Sequence, residues 1–274
     1  MGEIARPHCL VFDSGMGGLT VVEALQRLGF QGTISYAADT GFFPYGDKPD
    51  DVLAARIVAF AEAVCARAKP DIFVIACNTA STIALELVRE QLSIPIVGTV
   101  PAIKPAAEHT KSRTIGILAT PGTLRRSYTD ALIDDFATDC RVLRYGSVAL
   151  VELAERFAAG LDVPDTEIEA ELNALLRQPG GGDIDTVVLA CTHFPLLRSR
   201  LEALAPEGVR FIDSGEAIAR RTLSLLDQKP SKNKDQVAFG HVYLSSQPTE
   251  ERPHRLSEVT RRLGFQPVLQ LEID

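Results

Sequence analysis

Short apolar runs alternate with amphipathic stretches along most of this chain. Apolar runs predict buried strands at residues 9–12, 34–38, 72–76, 96–98, 114–118, 142–144, 186–190 and 209–212. Apolar residues recur at helical spacing over residues 19–28, 51–68, 80–91, 124–136, 148–159 and 166–176. This alternation predicts an α/β fold whose mostly parallel sheets carry helices on both faces.

Two segments of the chain resemble each other. The run VIACNT at residues 74–79 and the run VLACTH at residues 188–193 both end a predicted strand in Ala-Cys, with Cys77 and Cys191 in matching places. Ser14 and Thr120 likewise follow two earlier strands. Chance likeness between short strands is the alternative. We expect two lobes of similar plan: residues 1–98 with a returning segment 214–274, and residues 99–213.

Composition and charge narrow the function classes. Hydrophobic residues make up 46% of the 274 residues and charged residues 23%, as in globular proteins. A net charge of −8 argues against a nucleic-acid or anionic-membrane partner, because both need a basic field. No apolar run is long enough to span a membrane, and we expect no export signal. Five cysteines, an odd number, then favour reduced thiols and a cytoplasmic location.

The five cysteines fall into two groups. Cys9, Cys65 and Cys140 lie in or beside apolar elements, so we expect them to be small buried hydrophobic residues. Cys77 and Cys191 each end a strand and open a predicted helix, where N–H groups favour the thiolate. One such cysteine would be structural about as often as reactive. Two at matching positions favour a reactive pair.

Other chemical interpretations lack part of their pattern. The glycines of residues 15–20 have neither the Gly-Lys-Ser/Thr ending of a phosphate loop nor the full dinucleotide spacing. Ser14 lacks the elbow motif of a serine nucleophile. Cys191 and His193 supply only two metal ligands, so we expect no metal site.

Two thiols that face one substrate suit inversion at a carbon atom. One thiolate removes a proton while the other thiol delivers one to the opposite face. Asp13 is a candidate to assist Cys77, and His193 to assist Cys191, although His193 in such a place is otherwise a helix cap or core residue. Small polar residues at the strand ends would bind carboxylates, namely Ser14, Asn78, Thr79, Thr120 and Thr192.

Six blocks of the sequence resemble the glutamate racemase family. They are VFDSGMGGLT at 11–20, ADT at 38–40 with FPYG at 43–46, IACNTAS at 75–81, GTVP at 98–101, IGILATPGT at 115–123 and LACTHFPL at 189–196. The blocks follow the family's order and span most of the chain. Because six separate blocks match, the resemblance is specific.

The resemblance implies a fold, an activity and a set of residues. It implies two pseudo-symmetric lobes with the active site in the cleft between them, and a cytoplasmic homodimer without pyridoxal phosphate or metal. The implied activity interconverts L- and D-glutamate and supplies D-glutamate for peptidoglycan, hence for cell wall and cell shape. Cys77 and Cys191 would be the two acid/base residues. The implied substrate contacts are Asp13, Ser14, Tyr45, Gly46, Asn78, Thr79, Thr192 and His193, with Thr120 and Thr123 as further carboxylate contacts.

Some alternatives stay open within this resemblance. The family's second-half glutamate follows a Leu-Val pair, which favours Glu152 as the helper of Cys191 and leaves Glu155 on a solvated helix face. A racemase of aspartate or of a hydantoin is the nearest alternative function. A two-lobed amino-acid sensor without turnover is another, but pure binding needs neither thiol.

Overall fold

The computed structural model describes residues 6–231, 237–246 and 250–273. The chain divides into two compact units. The first consists of Met1–Tyr45, Pro49–Thr99 and Gly215–Asp274, and the second of Gly46–Lys48 and Val100–Ser214. In the described part of the chain, no helix is long and apolar enough to cross a membrane.

The first unit is a six-stranded parallel sheet covered by helices. Its strand order is β10-β9-β2-β1-β3-β4, and every neighbouring pair is parallel. The strands are β1 His8–Asp13, β2 Gly32–Ala38, β3 Ile72–Ile75, β4 Ile96–Gly98, β9 Val237–Leu244 and β10 Val268–Gln270. The helices are α1 Leu19–Arg27, α2 Asp50–Ala68, α3 Asn78–Gln91, α10 Gly215–Leu225 and α11 Glu251–Arg262.

The second unit is a four-stranded parallel sheet with the order β6-β5-β7-β8. Its strands are β5 Thr114–Ala119, β6 Arg141–Gly146, β7 Thr186–Ala190 and β8 Arg210–Ile212. Its helices are α4 Ile103–His109, α5 Pro121–Leu124, α6 Ser127–Phe136, α7 Ala149–Ala158, α8 Asp165–Leu176 and α9 Arg198–Leu204.

The same strand order is present in both units. The order β2-β1-β3-β4 in the first sheet corresponds to β6-β5-β7-β8 in the second, so β1 matches β5 and β3 matches β7. The predicted α/β class with parallel sheets is confirmed, and each of the eight predicted strands is present with small changes at its ends. The two similar sequence segments therefore lie in two sheets that share the same strand order.

Two details differ from the sequence-based expectation. The helix predicted over 124–136 is broken into α5 and α6, because Arg126 has extended backbone (φ −82°, ψ 134°). Strand β6 is only partly buried, with Arg141 exposed, because it is the edge strand of its sheet. A strand with a neighbour on one side alone has less of its surface covered.

An aromatic cluster anchors the first sheet against α2. Phe12 of β1 lies with its ring centroid 4.8 Å from that of Phe60 on α2 and 5.9 Å from that of Phe73 on β3, and all three side chains are buried. Stacked aromatic rings bury large apolar areas in a defined geometry. This packing fixes the end of β1, where Asp13, its last residue, follows Phe12.

Asp185, just before β7, joins two loops of the second unit. Its Oδ1 accepts hydrogen bonds from Thr110 Oγ1 (2.6 Å) and Thr186 Oγ1 (3.0 Å), and its Oδ2 accepts from the backbone N–H groups of Lys111 (2.7 Å) and Ser112 (2.8 Å). Burial raises the pKa of Asp185, but these hydrogen bonds outweigh it and lower the pKa to about 2.

We expect Asp185→Asn to lower the free energy of unfolding by about 1 kcal/mol at pH 7, because an amide cannot accept all four hydrogen bonds and solvent screens part of the effect. A depressed pKa contributes stability above the unfolded value of 3.8, and that stability is lost as the pH falls towards about 2. Denaturant unfolding at pH 7 and at pH 3 measures this difference. Asp183→Asn, at an exposed neighbour, is the control. An equal loss at both pH values would contradict the assignment.

Candidate active site

Cys77 lies at the carboxyl end of β3 and is the N-cap residue of α3. Its side chain is 6% exposed, and α3 is 14 residues long. The first N–H groups of a helix and its dipole favour a negative charge at this position. Cys77 is thus placed where a thiolate is stabilised by the fold.

Two hydroxyl side chains hold the backbone in front of Cys77. Thr99 Oγ1 donates to the carbonyl oxygens of Ile75 (2.8 Å) and Ala76 (2.7 Å), and Ser81 Oγ donates to Ile75 O (3.1 Å). Ser81 Oγ also accepts the backbone N–H of Thr99 (2.9 Å). No local pattern in the sequence marks this role of Thr99 and Ser81, although both lie inside the blocks that resemble the family.

Asp13 is the last residue of β1, the strand next to β3, and Ser14 follows it. Both side chains are buried, and Asp13 Oδ1 accepts the N–H of Gly15 (2.9 Å). Tyr36 donates its hydroxyl to Gly15 O (2.7 Å). A Cβ atom at Gly18 would lie 2.9 Å from both Asp13 Cβ and Tyr36 Oη, so only glycine allows this turn to close around Asp13.

Asn78 and Thr79 begin α3 directly after Cys77, and both are buried. Among the described residues, Asn78 Oδ1 has no hydrogen-bond partner. A buried acceptor of this kind costs free energy unless a donor reaches it. A bound ligand with an N–H or O–H group would supply that donor.

Tyr45 is buried in the first unit, in the same hydrophobic cluster as Cys77. Its hydroxyl donates to Asp39 Oδ2 (2.7 Å). Burial raises the pKa of Tyr45 well above its usual range, and the charges of Asp39 and Cys77 raise it further. The phenol is therefore a permanent hydrogen-bond donor to Asp39.

In the second unit, Cys191 occupies the place after β7 that Cys77 occupies after β3. The prediction that Cys191 opens a helix is wrong: a 3₁₀ turn, Phe194–Leu197, follows it, and α9 begins only at Arg198. A turn this short supplies little dipole, so Cys191 needs another source of activation.

A buried histidine lies beside Cys191. His193 Nδ1 lies 3.9 Å from Cys191 Sγ, and His193 Nε2 lies 2.8 Å from Glu155 Oε1. With Nε2–H donating to the carboxylate, Nδ1 presents its lone pair to the thiol. The imidazole of His193 therefore contacts both the carboxylate of Glu155 and the thiol of Cys191.

The expectation that Glu155 lies on a solvated helix face is wrong. Its side chain is buried against His193, whereas Glu152, one turn earlier on α7, is half-buried. Residues three apart on a helix lie on neighbouring faces, so the rotation of α7 determines which carboxylate reaches His193. A Leu-Val-Glu motif carries no information about that rotation.

The remaining predicted contacts of the second unit are also buried. Thr120 caps α5 by accepting the N–H of Thr123 (3.3 Å), and the two hydroxyls lie 3.1 Å apart. A Cβ atom at Gly46 would lie 2.9 Å from Thr120 Cβ, which requires glycine there. Thr192, which lies between Cys191 and His193 in the sequence, is also buried.

Of the three cysteines predicted to be buried, only two are buried. Cys9 and Cys65 are buried, and burial raises the pKa of Cys65 to about 12, so both are unreactive core residues. Cys140 is only half-buried, because it precedes the edge strand β6. The expectation of a buried Cys140 is therefore wrong.

Similarity to known proteins identifies the family of this chain. The model of the Asp/Glu/Hydantoin racemase family matches residues 20–222. The chain belongs to this family. It is 46% identical to the glutamate racemase of Klebsiella pneumoniae, covering 97% of this chain and 92% of that protein. It is 44% identical to the glutamate racemase of Salmonella gallinarum, covering 98% of this chain and 93% of that protein.

Solved structures of racemases share the fold. The crystal structure of Escherichia coli glutamate racemase, in complex with L-glutamate and the activator UDP-MurNAc-ala, matches this chain with a TM-score of 0.88 and 42% identity, covering 98% of this chain and 99% of that one. The resemblance read from six sequence blocks is confirmed. The chain is an amino-acid racemase, an isomerase of a family independent of pyridoxal phosphate.

The contact between Glu155 and His193 predicts a stability effect in this racemase. We expect Glu155→Ala to lower the free energy of unfolding by about 1–3 kcal/mol, since it removes the acceptor from a buried imidazole nitrogen. Thermal unfolding of Glu152→Ala, on the same helix, is the matched control and should change less. An equal loss in both variants would show that Glu155 is no better placed than Glu152.

Proposed function

We propose that this racemase interconverts L- and D-glutamate by two-base proton transfer, with Cys77 and Cys191 as the two bases. The observation that carries the proposal is topological. The two thiols follow corresponding strands, β3 and β7, in two sheets of the same strand order. A reversible inversion needs two groups of nearly equal strength, and a repeated fold supplies two equivalent positions.

The reaction consists of two proton transfers. One thiolate takes the α-proton, so that a C–H bond breaks and an S–H bond forms. The electron pair left on the α-carbon then takes the proton of the other thiol on the opposite face. After one turnover, the protonation states of the two thiols are exchanged. The reverse reaction therefore starts from the other cysteine.

The difficulty of the reaction is the low acidity of the α-proton. A thiolate whose conjugate thiol has a reference pKa of about 8.5 is a weak base for removing the α-proton. The site must stabilise the negative charge that develops towards the substrate carboxylate, and preorganised N–H donors do this best. The N-terminus of α3, with Asn78 and Thr79, provides such donors beside Cys77. The buried Asn78 Oδ1 is suited to accept from the substrate ammonium group.

Each thiol has its own auxiliary groups in this proposal. Asp13, buried at the end of β1, assists Cys77 by accepting a proton from the substrate ammonium. His193 assists Cys191 as the local base, and Glu155 orients the imidazole through its 2.8 Å contact. Glu152 stays the alternative helper that the motif predicts. The kcat of Glu155→Gln and of Glu152→Gln decides between them.

Polar groups at the strand ends form the proposed substrate pocket. Carboxylate and ammonium contacts come from Ser14, Tyr45, Gly46, Asn78, Thr79, Thr120, Thr123, Thr192 and His193. Glutamate is favoured over aspartate or a hydantoin because relatives with 44–46% identity over nearly the whole chain are glutamate racemases. We further propose that the product D-glutamate serves peptidoglycan synthesis in the cytoplasm, and that the enzyme acts as a homodimer.

The decisive experiment incubates the purified protein with D-glutamate in D₂O without added cofactor. We expect optical rotation to fall while deuterium enters at the α-carbon. If glutamate binds, as measured by calorimetry, but neither signal changes, the racemase assignment is wrong and a sensor is favoured. If glutamate does not bind, aspartate and the hydantoins replace it as candidate substrates.

Replacement of either cysteine tests the two-thiol mechanism. We expect Cys77→Ser and Cys191→Ser each to lower kcat by about 10²–10⁴-fold, the usual contribution of a general acid or base, while glutamate binding is retained. Cys140→Ser removes a half-buried thiol before β6 and is the matched control, which should keep full activity. Full turnover by Cys77→Ser would contradict the mechanism.

A further inference from the structure

A partly buried ion pair, Asp39–Arg56, contacts Tyr45 in the first unit. Asp39 follows β2 and is fully buried. Arg56 of α2 binds it with two hydrogen bonds, Nε to Oδ2 (2.9 Å) and Nη2 to Oδ1 (2.8 Å). A bidentate arginine–carboxylate pair has a defined geometry, unlike a single flexible contact. Hydrogen bonding to Asp39 also raises the pKa of Arg56.

The same carboxylate binds two further hydroxyl groups. Tyr45 donates to Oδ2 (2.7 Å), and Ser245, just after β9, donates to Oδ1 (2.5 Å). Four hydrogen bonds from three side chains therefore converge on Asp39. A buried charge satisfied this fully is rigid, because movement of any partner would leave it poorly paired.

The anchored tyrosine lies in the hydrophobic cluster that also contains the proposed catalytic thiol. Tyr45 and Cys77 belong to one hydrophobic cluster, and Tyr45 also contacts Phe12 and Phe42, with ring centroids 6.4 Å apart in each case. Because its proton is committed to Asp39, the phenol oxygen can offer only lone pairs to other neighbours.

We propose that Asp39 is a positioning residue for the Cys77 half of the site: through its hydrogen bond to the Tyr45 hydroxyl, and held by Arg56 and Ser245, it keeps the tyrosine ring packed beside the Cys77 thiol. The inference rests on the proposed function for its catalytic consequence. Ser245 brings in the C-terminal segment, which lies beyond the residues 20–222 matched by the family model.

The test measures how fast iodoacetamide labels Cys77 relative to Cys191 in the same protein sample, by peptide mass spectrometry. Asp39→Asn weakens the anchor, and Tyr45→Phe removes the anchored hydroxyl while keeping the ring. We expect each variant to change the ratio by at least about threefold, since both loosen the same local packing. The double variant should show no more than the larger single effect, because the two groups act through one bond.

Two further variants make the test robust. Glu86→Gln is the matched control, because it changes a carboxylate to an amide in another ion pair of the same unit, the exposed Glu86–Arg89 pair (2.8 Å), and should leave the ratio unchanged. Ser245→Ala leaves every charge in place. It should shift the ratio in the same direction as Asp39→Asn but less, and it replaces that variant if Asp39→Asn does not fold.

Racemisation assays add the catalytic readout. We expect kcat to fall about tenfold or more in Asp39→Asn, since the residue acts on the geometry around the thiol. Effects of Asp39→Asn and Tyr45→Phe that multiply in the double variant, or an unchanged Cys77 ratio, would overturn the proposal. Labelling needs no turnover, so an inactive wild-type protein would refute the racemase function without deciding the role of Asp39.

Discussion

In a parallel sheet, the carboxyl ends of neighbouring strands lie along one edge, and the chemistry of this protein depends on that constraint. Asp13 ends β1, Asp39 follows β2 and Cys77 follows β3 in one sheet, while Thr120 and Cys191 follow β5 and β7 in the other. Backbone N–H groups and helix starts point towards the same edge, so anionic groups are stabilised there. The fold thus gathers residues that are far apart in sequence.

The repeated strand order gives the two thiols equivalent positions, but the surroundings of each thiol differ. Cys77 caps a 14-residue helix, and the hydroxyls of Thr99 and Ser81 hold the preceding carbonyl groups in place. Cys191 precedes only a 3₁₀ turn and lies beside His193, which contacts Glu155. The N-terminus of a helix lies beside Cys77, whereas an imidazole lies beside Cys191. Topological symmetry therefore coexists with chemical asymmetry.

In each unit, a buried carboxylate binds a polar group of a residue near the thiol. Asp39 binds the hydroxyl of Tyr45 in one unit, and Glu155 contacts the imidazole of His193 in the other. A carboxylate can perform this task inside a protein only if it is well hydrogen-bonded, since an unsatisfied buried charge is costly. Asp39 accepts hydrogen bonds from Arg56 and Ser245, and Glu155 contacts the imidazole of His193.

The sequence alone determined the α/β class, the positions of eight of the ten described strands, and the family, because apolar periodicity and contiguous motifs are local signals. It also singled out Cys77 and Cys191, since both follow the same short motif. Only the tertiary structure decided that Glu155 faces His193, because the rotation of a helix about its axis depends on packing. Likewise, Asp39, Arg56 and Ser245 come together across 17 and 206 positions of sequence separation, and no local pattern records a contact over such a distance.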